Sequence, residues 1–342
     1  MKGILRIAAV ITIAALVSFW ISGCKQKEQQ GAKKYRIAVI PKGTTHVFWK
    51  SIHAGAIKAE QELKEAGVDV EIIWKGPLKE DDRESQIRVV EDFVTAGVSG
   101  IVLAPLDDTA LRAPVKDAVN NGIPVVIIDS DLKSDDYVSF VATDNYVGGR
   151  KAGEHLANIL GGKGKVIMLR YQEGSASTMN REQGFLDVLK ENFPQIEVVS
   201  ASQYGGATTE SAYQASENLL APLRKPDGSL TIDGIFTPNE STTFAMLRAL
   251  EDSKIAGKVK YVGFDSSDRL VQALKQGYIH GLVLQDPINM GYLGVKTLVA
   301  HLQGEQVEKK IDTGSEVATA ENMNEEKIKN LLEPDFRKWL KE

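Results

Sequence analysis

Short apolar runs alternate with longer amphipathic stretches along nearly the whole chain, and few folds satisfy that alternation. YRIAVI (35–40), VDVEIIW (68–74), GIVLAP (100–105) and IPVVIID (123–129) read as strands, and 48–66, 84–96 and 109–121 between them read as helices. Gly67 and Gly122 follow the first and last of these helices, where a left-handed stop is expected. Strands that are apolar on both faces and separated by helices form a parallel sheet covered on both sides. Right-handed crossovers then make it a doubly wound α/β layer.

The pattern starts again further on. YVSFVATD (137–144) leads to a helix (146–160), KVIMLR (165–170), a helix (178–191) and IEVVSA (196–201). A helix (209–222), GIFT (234–237), a helix (240–252) and KYVGFD (260–265) complete the second set. The expected fold class is α/β, with two doubly wound parallel-sheet lobes. No short-period repeat is visible, so the duplication is one of architecture. The tail, 324–341, reads as one or two short helices packed on the outside.

Open α/β sheets bind ligands beyond the carboxyl ends of their strands, which directs attention to six loops. PKGTTHVFW follows the first strand, APLDD the third and DSD the fourth; Asn239 and Glu240 follow GIFTP, DSSD follows YVGF, and HGLVLQDP carries Gln285. If the two edges face each other, these aromatic, carboxylate and amide groups share one cleft. Carboxylates accept paired hydroxyls, amides donate and accept, and a guanidinium donates in a planar fork. Flat aromatic rings such as Phe48 and Trp49 cover the C–H faces of a sugar. Phe48, Trp49, Asp129, Arg181, Asn239, Asp265 and Gln285 therefore suit a monosaccharide or polyol. Taken singly, each has an ordinary alternative, since Asp or Asn after a strand caps helices and Phe-Trp at a helix start packs in cores.

The N-terminal region carries a different signal. Lys2 and Arg6 precede the uncharged run 7–21, which ends in Ser22-Gly23 before Cys24, the only cysteine among 342 residues. A basic start, an apolar stretch shorter than the ~20 residues that span a bilayer, and small residues at the end make a signal peptide over 1–23. Ile21-Ser22-Gly23-Cys24 resembles the lipobox of bacterial lipoproteins, with Ile21 where Leu is commoner. That resemblance implies lipidation of Cys24 and membrane attachment. Residues 24–34 are polar and lack apolar periodicity, as a flexible tether would. Loss of Lys2 and Arg6 with residues 1–23 moves the formal charge by two, from −5 to −7. No basic patch suits nucleic acid.

Eight stretches together carry a family resemblance: VFWKSIHAGA (47–56), GIVLAPLD (100–107), GIPVVIID (122–129), VATDNYVGG (141–149), NREQGF (180–185), NESTTFAMLRAL (239–250), VGFD (262–265) and Gln285 in LQDP. Over roughly 35–320 the chain resembles ribose-type periplasmic sugar-binding proteins, the substrate receptors of ABC importers, whose fold LacI-type repressor ligand domains share. The resemblance implies a type I periplasmic binding protein. Its first lobe would be 35–142 plus 287–314, its second 143–286 plus 315–320, and 321–342 a C-terminal helical extension. Lobe crossings are expected near 142–145, 285–288 and 313–316, closing about the sugar as a hinge. A monomer that docks on permease subunits and needs no cofactor or metal is implied.

By position, Phe48 and Trp49 match the family's stacking aromatics and Asp129 its hydroxyl-binding aspartate. Arg181 matches the arginine reaching in from the second lobe, and Asn239, Asp265 and Gln285 complete the ring. Three departures bear on specificity: Ser130 stands where ribose binders have Arg, Lys42 and His46 replace neutral polar residues, and Ala104 replaces an amide. Lys42, His46 and Ser130 are thus further ligand candidates. Lys42 either substitutes for the lost guanidinium, beside Asp129 or a ligand oxygen, or is a solvated rim lysine.

Rival classes have specific requirements. An enzyme reading finds no G-x-S-x-G, H-E-x-x-H, Walker A or C-x-x-C, although Asp129 and Asp265 could be a glycosidase pair. Asp129, Asp131, Asp135 and Asp136 cluster, but Lys133 and the lack of a mid-loop glycine argue against a calcium loop. A repressor would need a helix-turn-helix where the leader stands. A receptor serving a sensor kinase or chemoreceptor, with a sugar-like signal or nucleoside as ligand, remains the alternative to import.

Overall fold

The computed structural model describes residues 34–340. The signal peptide, Cys24 and the tether up to residue 33 lie outside the described residues. Along the first lobe run β1 (Tyr35–Ile40), α1 (Val47–Glu65), β2 (Val70–Trp74), α2 (Arg83–Thr95), β3 (Gly100–Leu103), α3 (Arg112–Asn120), β4 (Val125–Ile128) and β5 (Ser139–Ala142). The second contains α4 (Asn145–Ile159), β6 (Lys163–Met168), α5 (Ala176–Asn192), β7 (Gln195–Ser200), α6 (Thr209–Leu220), β8 (Gly234–Phe236), α7 (Glu240–Asp252), β9 (Lys260–Phe264), α8 (Asp268–Lys275) and β10 (Gly281–Leu284). The chain then adds α9 (Pro287–Leu302) and β11 (Lys310–Asp312) to the first lobe, β12 (Glu316–Ala318) to the second, and ends in α10 (Glu326–Leu332) and a 3₁₀ turn at Phe336–Lys338.

The two sheets have the same order. One runs β11-β5-β4-β3-β1-β2 and the other β12-β10-β9-β8-β6-β7, so each reverses direction beside its first strand. That reversal opens the crevice in which doubly wound sheets hold ligands. All pairings are parallel except β12, which lies antiparallel on β10. β3, β4 and β10 are buried along their whole length, as their apolar sequences require. Each sheet separates two apolar cores: α1 and α9 cover one face of the first and α2 with α3 the other. In the second lobe α4 and α5 cover one face, and α6, α7 and α8 the other.

Reciprocal glycine contacts bring paired helices into backbone contact. A Cβ on Gly55 of α1 would lie 1.9 Å from the Ile288 carbonyl oxygen, and one on Gly291 of α9 would lie 2.1 Å from that of Ile52. The second lobe repeats the device: a Cβ on Gly149 of α4 would lie 1.9 Å from the Arg181 carbonyl oxygen, and one on Gly184 of α5 2.1 Å from that of Tyr146. In both lobes the helix that follows a crossing grips the helix that bears site residues.

One sequence expectation needs correction. Helix α3 begins at Arg112 rather than 109 because the Asp107 carboxylate accepts from the N–H groups of Thr109 and Ala110, which holds a turn there. The tail forms the short α10, on the outside of the second lobe, and a 3₁₀ turn. Ile328 and Leu332 of α10 enter the second lobe's core beside Met323, so burial of its apolar face fixes this helix.

Candidate functional site

The fourth strand of each lobe, β4 and β9, ends in an aspartate. Asp129 and Asp265 both adopt left-handed backbone, φ +61° and +67°, which turns the chain sharply as it leaves the sheet. Aspartate tolerates this conformation better than most residues. The Asp129 N–H bonds the Val141 carbonyl and the Asp265 N–H that of Val283, so the neighbouring strand holds each turn. Both carboxylates are thereby buried and directed into the space between the lobes, at 3% and 6% exposure.

Arg181 reaches that space from α5. Its Nε donates to Asn145 Oδ1 at 2.8 Å and its Nη1 to the Pro238 carbonyl at 2.9 Å, while the guanidinium stacks 4.3 Å above the Phe264 ring. It stands 3.9 Å from Asp129 and 4.0 Å from Asp265, too far for a hydrogen bond to either. Burial lowers its pKa against the pull of Asp265 and Asp129, and burial raises that of Asp265 against the charge of Arg181. Gln285, at the second crossing, donates from Nε2 to Asp265 Oδ1 at 2.7 Å. Arg181 Nη2 and Gln285 Oε1 are buried with no hydrogen-bond partner in the protein. Leaving such groups unmet costs ~1–3 kcal/mol each, so the site favours a ligand with both a donor and an acceptor.

Lys42 is buried rather than on the rim. Its Nζ lies 2.8 Å from Asp129 Oδ2 as an ion pair without hydrogen-bond alignment, and it donates across the cleft to Ser177 Oγ at 3.1 Å. Phe48 and Trp49 open α1 with their rings 5.0 Å apart and edge to face. His46 Nδ1 lies 2.8 Å from Glu80 Oε1. Burial works against protonating His46, but the hydrogen bond and charge of Glu80, with Glu240 and Asp265 behind, raise it to about 9. It is therefore a cation at neutral pH.

Nine of the ten candidates named from sequence line one cavity. Ser130 is the exception: its Oγ accepts from the Ser177 N–H at 3.0 Å, tying the lobes together beside the cavity. Asn239 lines the cavity, yet its Oδ1 accepts from Thr242 Oγ1 at 2.6 Å and from the Thr242 N–H at 3.4 Å, capping α7. Glu80, Tyr171, Ser177, Thr178 and Glu240 complete the lining and were not among the candidates. Tyr171 and Glu240 stand just beyond strand ends, where the loop rule directs attention. Glu80 also follows a strand, β2, but lies further along the loop, between charged neighbours.

Further bonds join the lobes around this cavity. Glu240 Oε2 accepts from the Phe48 N–H at 3.2 Å, and the Asp108 N–H donates to the Gly174 carbonyl at 2.8 Å. Tyr171 O–H donates to Glu80. The chain passes between the sheets after Ala142, after Leu284 and between Asp312 and Glu316. Bonds between the lobes thus close over the cavity, and three chain crossings join them.

Two doubly wound lobes closed over a polar, aromatic-edged cavity define a binding receptor of the periplasmic type. The periplasmic binding protein domain model matches residues 37–306, and the chain belongs to that family. It is 30% identical to the ribose import binding protein of Haemophilus influenzae over 87% of this chain and 96% of that one. With the D-ribose/D-allose-binding protein of Pseudomonas aeruginosa it shares 30% identity over 92% of this chain and 98% of that one. A solute binding protein of Agrobacterium vitis with bound D-fucose is 36% identical, with a TM-score of 0.80 covering 87% and 99% of the two chains. The family and these relatives are substrate-binding receptors rather than enzymes.

Proposed function

We propose that this chain is the sugar-capturing receptor of an ABC importer, taking one monosaccharide or related polyol between its lobes and presenting it to membrane permease subunits. The observation that carries the reading is the closed cavity itself, with two buried aspartates, one from each lobe, on either side of a guanidinium. Asp129 and Asp265 accept from ligand hydroxyls, Arg181 Nη2 donates, Gln285 Oε1 accepts, and of the perpendicular Phe48 and Trp49 rings one covers the sugar's C–H face while the other bounds its edge. Lys42, His46 and Ser130 shape the first-lobe side, with Lys42 supplying the fixed cation that Ser130 cannot. The lobes are 35–142 plus 287–314 and 143–286 plus 315–320, with 321–342 a helical extension. Closure follows because the ligand gains contacts with both lobes that an open form cannot offer.

Export and anchoring belong to the same reading. The leader 1–23 is removed, Cys24 is lipidated, and residues 24–34 tether a monomeric receptor to the membrane. Among the described residues no helix is long and apolar enough to cross a membrane. C24S releases the protein from membranes and leaves sugar binding intact; retention after a salt wash would refute the anchor.

A thermal-shift screen with D-ribose, D-allose, D-arabinose, D-fucose, other hexoses and polyols tests the function. A ligand at 100 times its dissociation constant adds about 2.7 kcal/mol of stability. No shift with any of them, or turnover of a labelled sugar, sinks the proposal.

A further inference from the structure

Glu80 sits between β2 and α2 in the polar run KEDDR, where solvent exposure would be ordinary, yet it is only 7% exposed. Both carboxylate oxygens point inward. Oε1 accepts from Trp49 Nε1 at 2.6 Å and lies 2.8 Å from His46 Nδ1, while Oε2 accepts from Tyr171 O–H. Trp49 and His46 belong to the first lobe, and Tyr171 follows β6 in the second. Gly43 makes room for the arrangement, since a Cβ there would come within 2.9 Å of Glu80 Cγ. Burial opposes the charge on Glu80, but hydrogen bonds from His46, Tyr171 and Trp49 outweigh it and hold the carboxyl below its usual range. One loop carboxylate therefore touches a cavity-lining ring, a cation of the same lobe and a hydroxyl of the opposite lobe.

We infer that Glu80 is a positioning residue for ligand capture: it fixes the Trp49 indole within the first lobe and latches that lobe to Tyr171 when the cleft closes. The inference rests on the sugar-capture reading for the identity of the ligand, but not for the arrangement of the latch. A loop pin with only a structural role would alter stability alone. The latch also alters how long the closed form lasts, because Tyr171 reaches Glu80 only across the cleft.

The test uses the full chain and three variants. Y171F removes only the cross-lobe hydroxyl, E80Q keeps an acceptor for Trp49 without the charge, and E80A removes both. Without sugar, acrylamide quenching of Trp49 fluorescence, isolated by difference from W49F, reads how firmly the indole is held. E80A at least doubles the quenching constant, whereas E80Q and Y171F leave it near the wild-type value. With D-ribose, D-allose, D-arabinose or D-fucose, stopped-flow fluorescence shows Y171F dissociating about tenfold faster with little change in association, as expected for a lost charge-assisted hydrogen bond. Unchanged Trp49 quenching in E80A, or an unchanged dissociation rate in Y171F, overturns the inference. If none of the four sugars binds the wild type, the choice of ligand fails and the quenching result alone decides the role of Glu80.

Discussion

Glu240 makes closure sensitive to acid. It opens α7 in the second lobe, yet its Oε2 accepts from the Phe48 N–H in the first at 3.2 Å. Burial raises its pKa most; His46 pulls it down, Asp265 pushes it up, the Phe48 bond lowers it and Glu80 raises it, leaving it at about 7 against an ordinary 4.5. His46, Phe48 and Glu80 belong to the opposite lobe, and the cleft walls supply the burial, so opening returns Glu240 towards its ordinary value. Closing then takes up a proton. A carboxyl raised in the closed form favours that form below 4.5, and the advantage disappears as pH rises through 7. For a single group moving from 4.5 to 7, the loss between pH 5 and pH 7 is ~2 kcal/mol, about thirtyfold in affinity. His46 adds to this above pH 7, because Glu240 and Asp265 help hold its proton only while the lobes are together.

The perturbation is E240Q, which keeps an acceptor for the Phe48 N–H and removes the titration. Isothermal titration calorimetry with the most stabilising sugar of the screen should give a wild-type dissociation constant that rises from pH 5 to pH 7 and one for E240Q that stays nearly flat. Repeating the titration at pH 6 in buffers of different ionisation enthalpy should reveal uptake of about 0.9 proton in the wild type and close to none in E240Q. Equal pH slopes for the two proteins, or no proton uptake by the wild type, would refute the assignment of this proton to Glu240.

Two further substitutions probe the frame of the site. K42A strands the buried Asp129 carboxylate, with Arg181 still 3.9 Å away, and should cost about 3 kcal/mol in chemical denaturation and weaken sugar binding at least tenfold. Affinity within about twofold of wild type would remove Lys42 from the site. G149A drives a methyl group into the Arg181 carbonyl and should destabilise the second lobe by ~1–3 kcal/mol or more while displacing α5 and weakening sugar binding, read by thermal melts and calorimetry.

What could be read from sequence followed from the fold's own logic. In a doubly wound sheet the residues beyond the strands must meet at one edge, so recognising β4 and β9 as strands located Asp129 and Asp265, and the apolar run GLVL located Gln285 after it, without any knowledge of the space between them. Lys42 shows where that logic stops. Its position after β1 was visible, but its burial depends on Asp129 and on Ser177, 135 residues further along the chain. Asn239 combines two roles. Position put it in the cavity, while its carbonyl oxygen is engaged by Thr242, so its helix-capping role competes with its ligand role. Glu80 lay beyond reach because its neighbours in sequence are charged and its Tyr171 partner is 91 residues away in the other lobe. Within a lobe, periodicity and strand ends specify where a side chain points. Across the cleft nothing periodic links the partners, so the residues that hold the closed form together must be found from the structure. Glu80 and Glu240 are both of this kind. Each is a carboxylate of one lobe bonded to a donor of the other, and these two bonds occur in opposite directions across the same cavity. Such a pair can set the lifetime and pH range of closure independently of the residues that recognise the ligand's hydroxyls.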